Sequence, residues 1–261
     1  MTWDGVLRLF ALNLWRSAFV TVLLFVTMTP CAWGLCEGEY ENARSLVWQI
    51  ENEGPLRDRR DSVTVYLLSL LDDIVRSSKR GGAVIWRPRI VRDYSANAYS
   101  VGAGHIYVTE GAIRLCDTES QLAAILAHEM GHEIAGHFCS AEPPRRGRIY
   151  YPFGFGRSAD EPRRRVAADK GSLTVDLDPE KEREADRLAV DILRATRFDA
   201  HAILEIARRL PMSGSHTPDL RRVETLRRML EDVPKKHPMD SEQFIRVKQD
   251  LSGQRQPYEE P

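Results

Sequence analysis

The segment His128-Glu129-Met130-Gly131-His132 sets two imidazoles four residues apart, with a carboxylate between them. Side chains four apart share one face of a helix, their Cβ atoms about 5–6 Å from each other. Two imidazoles so placed can reach one zinc ion through bonds of about 2.0–2.1 Å. Glu129, one step round the helix, then faces the open coordination position and can take a proton from a water whose acidity the metal raises. The chemistry available to this trio is metal-assisted hydrolysis. The preceding residues 121–127, Gln-Leu-Ala-Ala-Ile-Leu-Ala, are a strong helix-forming run with a face to bury.

A catalytic zinc takes three protein ligands and leaves a fourth position open. His137 is one candidate for the third. The pattern HExxHxxGxxH would place Gly at 135 and His at 138, where this chain has Ala135 and Phe138. Continuing the helix through His137 also turns that residue away from the His128/His132 face. Glu182 is the better candidate. It opens Glu182-Arg183-Glu184-Ala185-Asp186 on the next long helix, and Asp186 shares its face. A carboxylate at Asp186 is expected to orient a liganding histidine through its free ring N–H. Glu184, on another face, reads as a solvated acid.

The elements that must carry these residues can be read from periodicity. Residues 37–51 and 56–78 read as helices, the second with Val63, Leu67, Leu70, Leu71 and Ile74 at intervals of three and four. Residues 83–86, 89–92 and 105–108 read as short strands. Asp117-Thr118-Glu119 starts the HExxH helix, which is expected to run through His137. Residues 139–178 are irregular and arginine-rich. Helices resume over residues 179–196, 199–210 and 218–230, and residues 234–261 form a polar tail with one short helix near 241–251.

The 261 residues suit one moderate domain with appendages. A hydrophobic content of 43%, a charged content of 29% and a net charge of −1 are those of a globular protein without a general affinity for nucleic acid. Residues 1–34 differ from the rest. Arg8 and Arg16 precede an uncharged stretch whose apolar core, residues 17–28, is short of the ~20 residues a spanning helix needs. Ala32-Trp33-Gly34 then supplies a small-x-small cleavage pattern, so residues 1–34 are expected to be a signal peptide; the alternative is an uncleaved membrane anchor. Removing the signal takes Cys31 and leaves Cys36, Cys116 and Cys139, an odd count that suggests one disulfide and one spare thiol, or an intermolecular bond. A continuous helix between Cys116 and Cys139 would hold them roughly 30 Å apart, against a Cα limit of about 7 Å for a disulfide. An intramolecular disulfide must then include Cys36, with Cys116 preferred over Cys139 as its partner.

HExxH with a downstream ExxAD helix resembles the gluzincin family of the CAAX prenyl endopeptidases, the HtpX-type membrane proteases and the BepA-like periplasmic proteases. Asn97-Ala98-Tyr99, followed by Gly104-His105-Ile106-Tyr107-Val108 and Gly111, is similar to the family's NAxA…GxIxV…G segment. That resemblance implies a substrate-binding edge strand containing Asn97, His105, Ile106 and Tyr107. Ala127 and His137 extend the motif to AHExGHxxxxH. Ser215-His216-Thr217-Pro218 with Arg222-Val223 is similar to the family's SHP…R(I/V) segment, with Thr217 inserted; by that similarity His216 approaches the metal, either to stabilise an oxyanion or to occupy the open position. The match spans roughly residues 84–230.

These readings together imply an α+β, mainly helical metalloprotease domain over residues 35–233, with a small sheet. One Zn2+ per chain is held by His128, His132 and Glu182, with Glu129 as general base. The expected activity is endopeptidase cleavage of unfolded or misassembled proteins of the cell envelope. The expected partners are polypeptide substrates, with peripheral membrane association besides; the expected location is the periplasm. The alternative is a chaperone or adaptor that keeps the zinc fold and binds clients without cleaving them.

Overall fold

The computed structural model describes residues 37–139, 179–209 and 220–253. By its contacts the chain divides into residues 1–34 and 35–261, and every described residue belongs to the second unit. In chain order the elements are α1 (Glu37–Glu53), α2 (Ser62–Ser78), β1 (Arg87–Val91), β2 (Ala98–Ser100), β3 (His105–Thr109), α3 (Glu110–Leu115), α4 (Glu119–Ile134), α5 (Pro179–Arg194), α6 (Ala202–Arg209), α7 (Leu220–Met229) and α8 (Glu242–Gly253). The fold is α+β and mainly helical, as the sequence implied.

Helix α4 is the centre of the fold. Every residue from Glu119 to Glu133 is buried, so the helix meets protein on all sides and not along one stripe only. It packs against α5, α6, α2 and β2. Its start is fixed by Thr118, whose side chain accepts from the Gln121 N–H. Helix α2 begins at Ser62, later than its periodicity suggested, because the Asp61 carboxylate accepts the Val63 N–H and caps it there. Its stripe of Val63, Leu67, Leu70, Leu71 and Ile74 is buried in the common core with Leu122, Leu126, Ile192 and Leu193.

Strand order in the sheet is β1-β3-β2. β1 runs parallel to β3, with Arg87 opposite His105 and Val91 opposite Thr109; β2 runs antiparallel to β3, with Ala98 opposite Val108. This corrects the expected edge strand. His105, Ile106 and Tyr107 lie in the central strand, paired on both flanks, and the outer strand facing α4 is β2, with Asn97 just ahead of it. The cause is topological: the turn at Gly102–Gly104 folds β2 back onto one flank of β3, and β1 takes the other. Residues 83–86 are turn and irregular chain, not strand, and the ladder starts at Arg87. The sheet is tied to α4 by Glu133, whose carboxylate accepts from the Gly104 N–H (2.7 Å) and the Ser100 hydroxyl (3.3 Å). Gly104 adopts φ +77°, and a Cβ there would stand 2.4 Å from the Ile85 carbonyl oxygen, so only glycine fits the turn.

The polar tail is a working part of the fold. Phe244, Val247 and Leu251 of α8 are buried in the core. Lys248 donates to the carbonyls of Ile113, Arg114 and Cys116 at the end of α3, and Lys236 to those of Leu193, Arg194 and Thr196 at the end of α5. Both lysines satisfy carbonyls that a helix end leaves open. At the start of α4, Asp240 accepts the Glu119 N–H at 2.7 Å, and the Glu119 carboxylate accepts from Ser241, Tyr66 and Arg197.

Burial pushes the Glu119 carboxyl up, but the bonds from Ser241, Arg197 and Tyr66 outweigh it and hold the group below the ordinary carboxylate range. A carboxyl depressed in the folded state contributes stability that is present above its unfolded pKa of about 4.3 and is lost as pH falls through the folded value. Glu119→Gln is therefore expected to lower stability at neutral pH and to flatten the decline on acidification. Urea melts of both proteins between neutral and acid pH check this; curves that stay parallel would contradict it.

Candidate metal centre

The site forms where α4 and α5 approach closely. Gly131, inside the motif, makes that possible: a Cβ there would stand 2.6 Å from the Ala185 carbonyl oxygen and 3.0 Å from its Cα. With the two backbones this near, Glu182 reaches across to the histidine face. His132 Nε2 lies 3.1 Å from His128 Nε2 and 3.1 Å from Glu182 Oε1, and His128 Nε2 lies 3.4 Å from Glu182 Oε2. One ligand atom from each of His128, His132 and Glu182 falls within 4.8 Å of the others, and all three residues are buried. Two imidazole nitrogens and a carboxylate oxygen suit a zinc-like divalent ion with one position left for water or substrate. Three donors of these types, all buried, fit such an ion.

The ring nitrogens facing away from the centre are also engaged. His128 Nδ1 lies 2.9 Å from Asp186 Oδ1, the carboxylate–imidazole arrangement that fixes a ligand's tautomer and ring plane. Asp186 is held in turn by Arg222, whose Nε and Nη2 donate to its two oxygens at 2.7 and 2.8 Å; Nη1 of the same guanidinium lies 2.9 Å from Glu182 Oε2. Arg222 thus braces Glu182 and the carboxylate behind His128. Sequence reasoning gave Arg222 no role. Its motif resemblance was visible, but a pairing 36 residues away in the chain leaves no periodic trace.

Burial pushes the His132 imidazole down to about 4, leaving it neutral with a lone pair to donate. Burial acts on His128 in the same direction, but Asp186 and Glu182 outweigh it and hold that imidazole above its ordinary value in the metal-free protein. Burial likewise opposes the ionised forms of Asp186 and Arg222, yet His128 and then Arg222 hold the Asp186 carboxyl below its ordinary range, and Asp186 and then Glu182 hold the guanidinium above its own.

Glu129 is buried beside His128. Both line a small apolar cavity of about 30 Å³, together with Asn97, Ala98, Ala124, Ile203 and Arg222. Of the strand residues expected to meet substrate, Asn97 borders this cavity. His105, Ile106 and Tyr107 do not line it. His216 lies outside the described residues.

His137 departs from expectation. Helix α4 ends at Ile134, and Gly136 takes φ +69°. The Gly136 N–H donates to the Glu133 carbonyl and the His137 N–H to the His132 carbonyl, a helix closure that left-handed glycine permits. The closure folds His137 back behind the His132 ring, where its Nδ1 lies 3.0 Å from His132 Nδ1. Its Nε2 lies 3.3 Å from Glu184 Oε2, so Glu184 is not simply a solvated acid. Gly136 was the available signal, since glycine just past a periodic run marks a helix end.

The cysteine expectation is also corrected. Cys139 is disulfide-bonded and Cys116 is a free thiol. Cys116 sits at the end of α3, fully buried, with its Sγ 3.2 Å from the Ala112 carbonyl oxygen, and burial pushes the thiol up to about 12. A thiol so enclosed has no path to a partner. Cys139 is exposed beyond the α4 closure, and Cys36 lies outside the described residues.

Residues 62–143 match the family model described as Peptidase family M48. Mitochondrial metalloendopeptidase OMA1 of Schizosaccharomyces pombe is 35% identical over 74 residues, which are 28% of this chain and 22% of that protein. The beta-barrel assembly-enhancing protease of Escherichia coli is 26% identical over 125 residues, 44% of this chain and 26% of that protein. Its counterpart in Yersinia pestis is 26% identical over 132 residues, 46% of this chain and 27% of that protein. The chain thus spans about a quarter of the length of these curated relatives. The matched segment contains His128, Glu129 and His132, and α5 adds Glu182 from beyond it. With that site assembled around it, the segment is similar to a peptidase family M48 domain.

Proposed function

We propose that the protein is a zinc-dependent endopeptidase of the cell envelope that cleaves unfolded or misassembled polypeptides. The observation that carries this is the convergence of His128, His132 and Glu182 ligand atoms within 4.8 Å, with the buried Glu129 beside them. Bound zinc supplies Lewis acidity that makes water a usable nucleophile near neutral pH. Glu129, next to His128 and not part of the ligand set, takes the proton from the attacking water and returns it to the leaving amine. Asp186 keeps His128 in the tautomer that presents Nε2 to the metal, and Arg222 keeps both Asp186 and Glu182 in place. The apolar cavity beside Glu129 accepts a small aliphatic side chain next to the scissile bond.

The envelope assignment rests on reading residues 1–34 as an export signal, and those residues lie outside the described ones. Among the described residues no helix is long and apolar enough to cross a membrane. Relatives named as proteases and as a metalloendopeptidase support the hydrolytic reading.

The test is metal dependence. Purified protein is expected to carry one zinc per chain and to hydrolyse casein; a chelator is expected to stop hydrolysis and added zinc to restore it. Hydrolysis that survives removal of the metal would overturn the mechanism. Zinc binding with client capture and no cleavage would turn the reading into the chaperone one.

A further inference from the structure

The structure holds a second set of contacts on the metal centre, separate from the Asp186–His128 pair. From His132 Nδ1 the line runs 3.0 Å to His137 Nδ1, and from His137 Nε2 another 3.3 Å to Glu184 Oε2. The rings of His132 and His137 stand edge to face, their centroids 5.0 Å apart and their planes at 73°. Three backbone features fix His137 there. Its N–H donates to the His132 carbonyl, Gly136 provides the left-handed turn before it, and Lys181 of α5 donates to its carbonyl at 3.2 Å. His137 is thereby clamped between the end of α4 and the start of α5.

We propose that His137 is a positioning residue, and that His137 and Glu184 together fix the tautomer and ring plane of the ligand His132. The protons allow one consistent arrangement. His132 offers Nε2 to the metal and, as a neutral imidazole, carries its proton on Nδ1. That N–H donates to His137 Nδ1, which must accept and so carries its own proton on Nε2. His137 Nε2–H then donates to the Glu184 carboxylate. Each histidine ligand is backed by a carboxylate, directly at His128 through Asp186 and through one intervening imidazole at His132.

The two supports differ in exposure. The Asp186 side chain is 2% exposed and that of Glu184 49%. The outer carboxylate is therefore partly solvated, and the imidazole in between, 7% exposed, carries most of the orienting effect.

The inference rests on the metal site proposed above, and zinc affinity tests it independently of activity. Zinc is titrated into apo-protein in competition with a chromogenic chelator. His137→Phe keeps an aromatic ring and removes the acceptor; it is expected to weaken zinc binding about 10–100-fold, the usual effect of losing such a support. His137→Asn, whose side-chain oxygen can accept from His132 Nδ1–H, is expected to recover most of the loss. Glu184→Ala, at a half-exposed side chain that does not threaten folding, is expected to show a smaller loss of the same sign. In zinc-loaded wild type, long-range proton–nitrogen NMR correlations are expected to show His132 protonated at Nδ1 and His137 at Nε2. Equal affinity in wild type and His137→Phe, or a His137 protonated at Nδ1, overturns the relay while leaving the metal site standing. Wild type that binds no zinc overturns both.

Discussion

Glu129→Gln is expected to remove peptide hydrolysis while leaving zinc bound. The substitution keeps the shape and the burial of the side chain and deletes only its basicity. General base catalysis by a placed carboxylate is worth about 10²–10⁴-fold, and among the described residues no other carboxylate lines the cavity beside His128. Glu129 is also absent from the ligand set, so metal content should match wild type. Initial rates on casein, paired with zinc analysis of the same preparation, make the comparison. Retained activity would remove Glu129 from the mechanism. Lost activity accompanied by lost zinc would make Glu129 part of the metal's support and not the base.

The second large effect is expected at Arg222. Arg222→Met keeps the volume and apolar reach of the side chain but removes the guanidinium from both oxygens of Asp186, leaving His128 Nδ1 on Oδ1 alone. Asp186 and Arg222 are both buried, and removing one member of a buried pair costs about 3–5 kcal/mol, because the remaining charge stays desolvated. Metal-free protein should therefore unfold at markedly lower urea. Zinc affinity should fall as well, since Asp186 and Glu182 both lose the guanidinium that holds them. A urea midpoint close to wild type would mean that solvent or another group compensates the pair. Stability lost with zinc affinity intact would confine Arg222 to folding.

What could be read from sequence and what could not divide along a physical line. His128, Glu129 and His132 declare themselves because a helix converts spacing into a shared face. Glu182 and Asp186 do so for the same reason. Information of this kind is local. Strand order is not, and His105, Ile106 and Tyr107 were placed on an edge although the turn at Gly102–Gly104 makes β3 central. Arg222 escaped because its partners lie on another helix. The role of His137 depended on one conformational choice at Gly136. Extending α4 by a single further turn sends the imidazole outward, whereas a left-handed glycine brings it back onto His132. The burial of α8 was open to inspection: Phe244, Val247 and Leu251 recur at three and four within a mostly polar stretch.

The bonds that Asp240 and Ser241 make to Glu119 also bear on the order of events as the chain is made. They close the first turn of α4 across 121 and 122 residues of sequence. At synthesis rates of about 5–20 residues per second, the nascent chain holds the complete HExxH motif for on the order of ten seconds before those partners exist. Until then the Glu119 backbone N–H lacks Asp240 and the Glu119 carboxylate lacks Ser241, and the ends of α3 and α5 lack Lys248 and Lys236. The histidine motif is thus made before part of the frame that holds its helix. A site assembled in that order lacks that frame until residues that contribute no atom to it have been made.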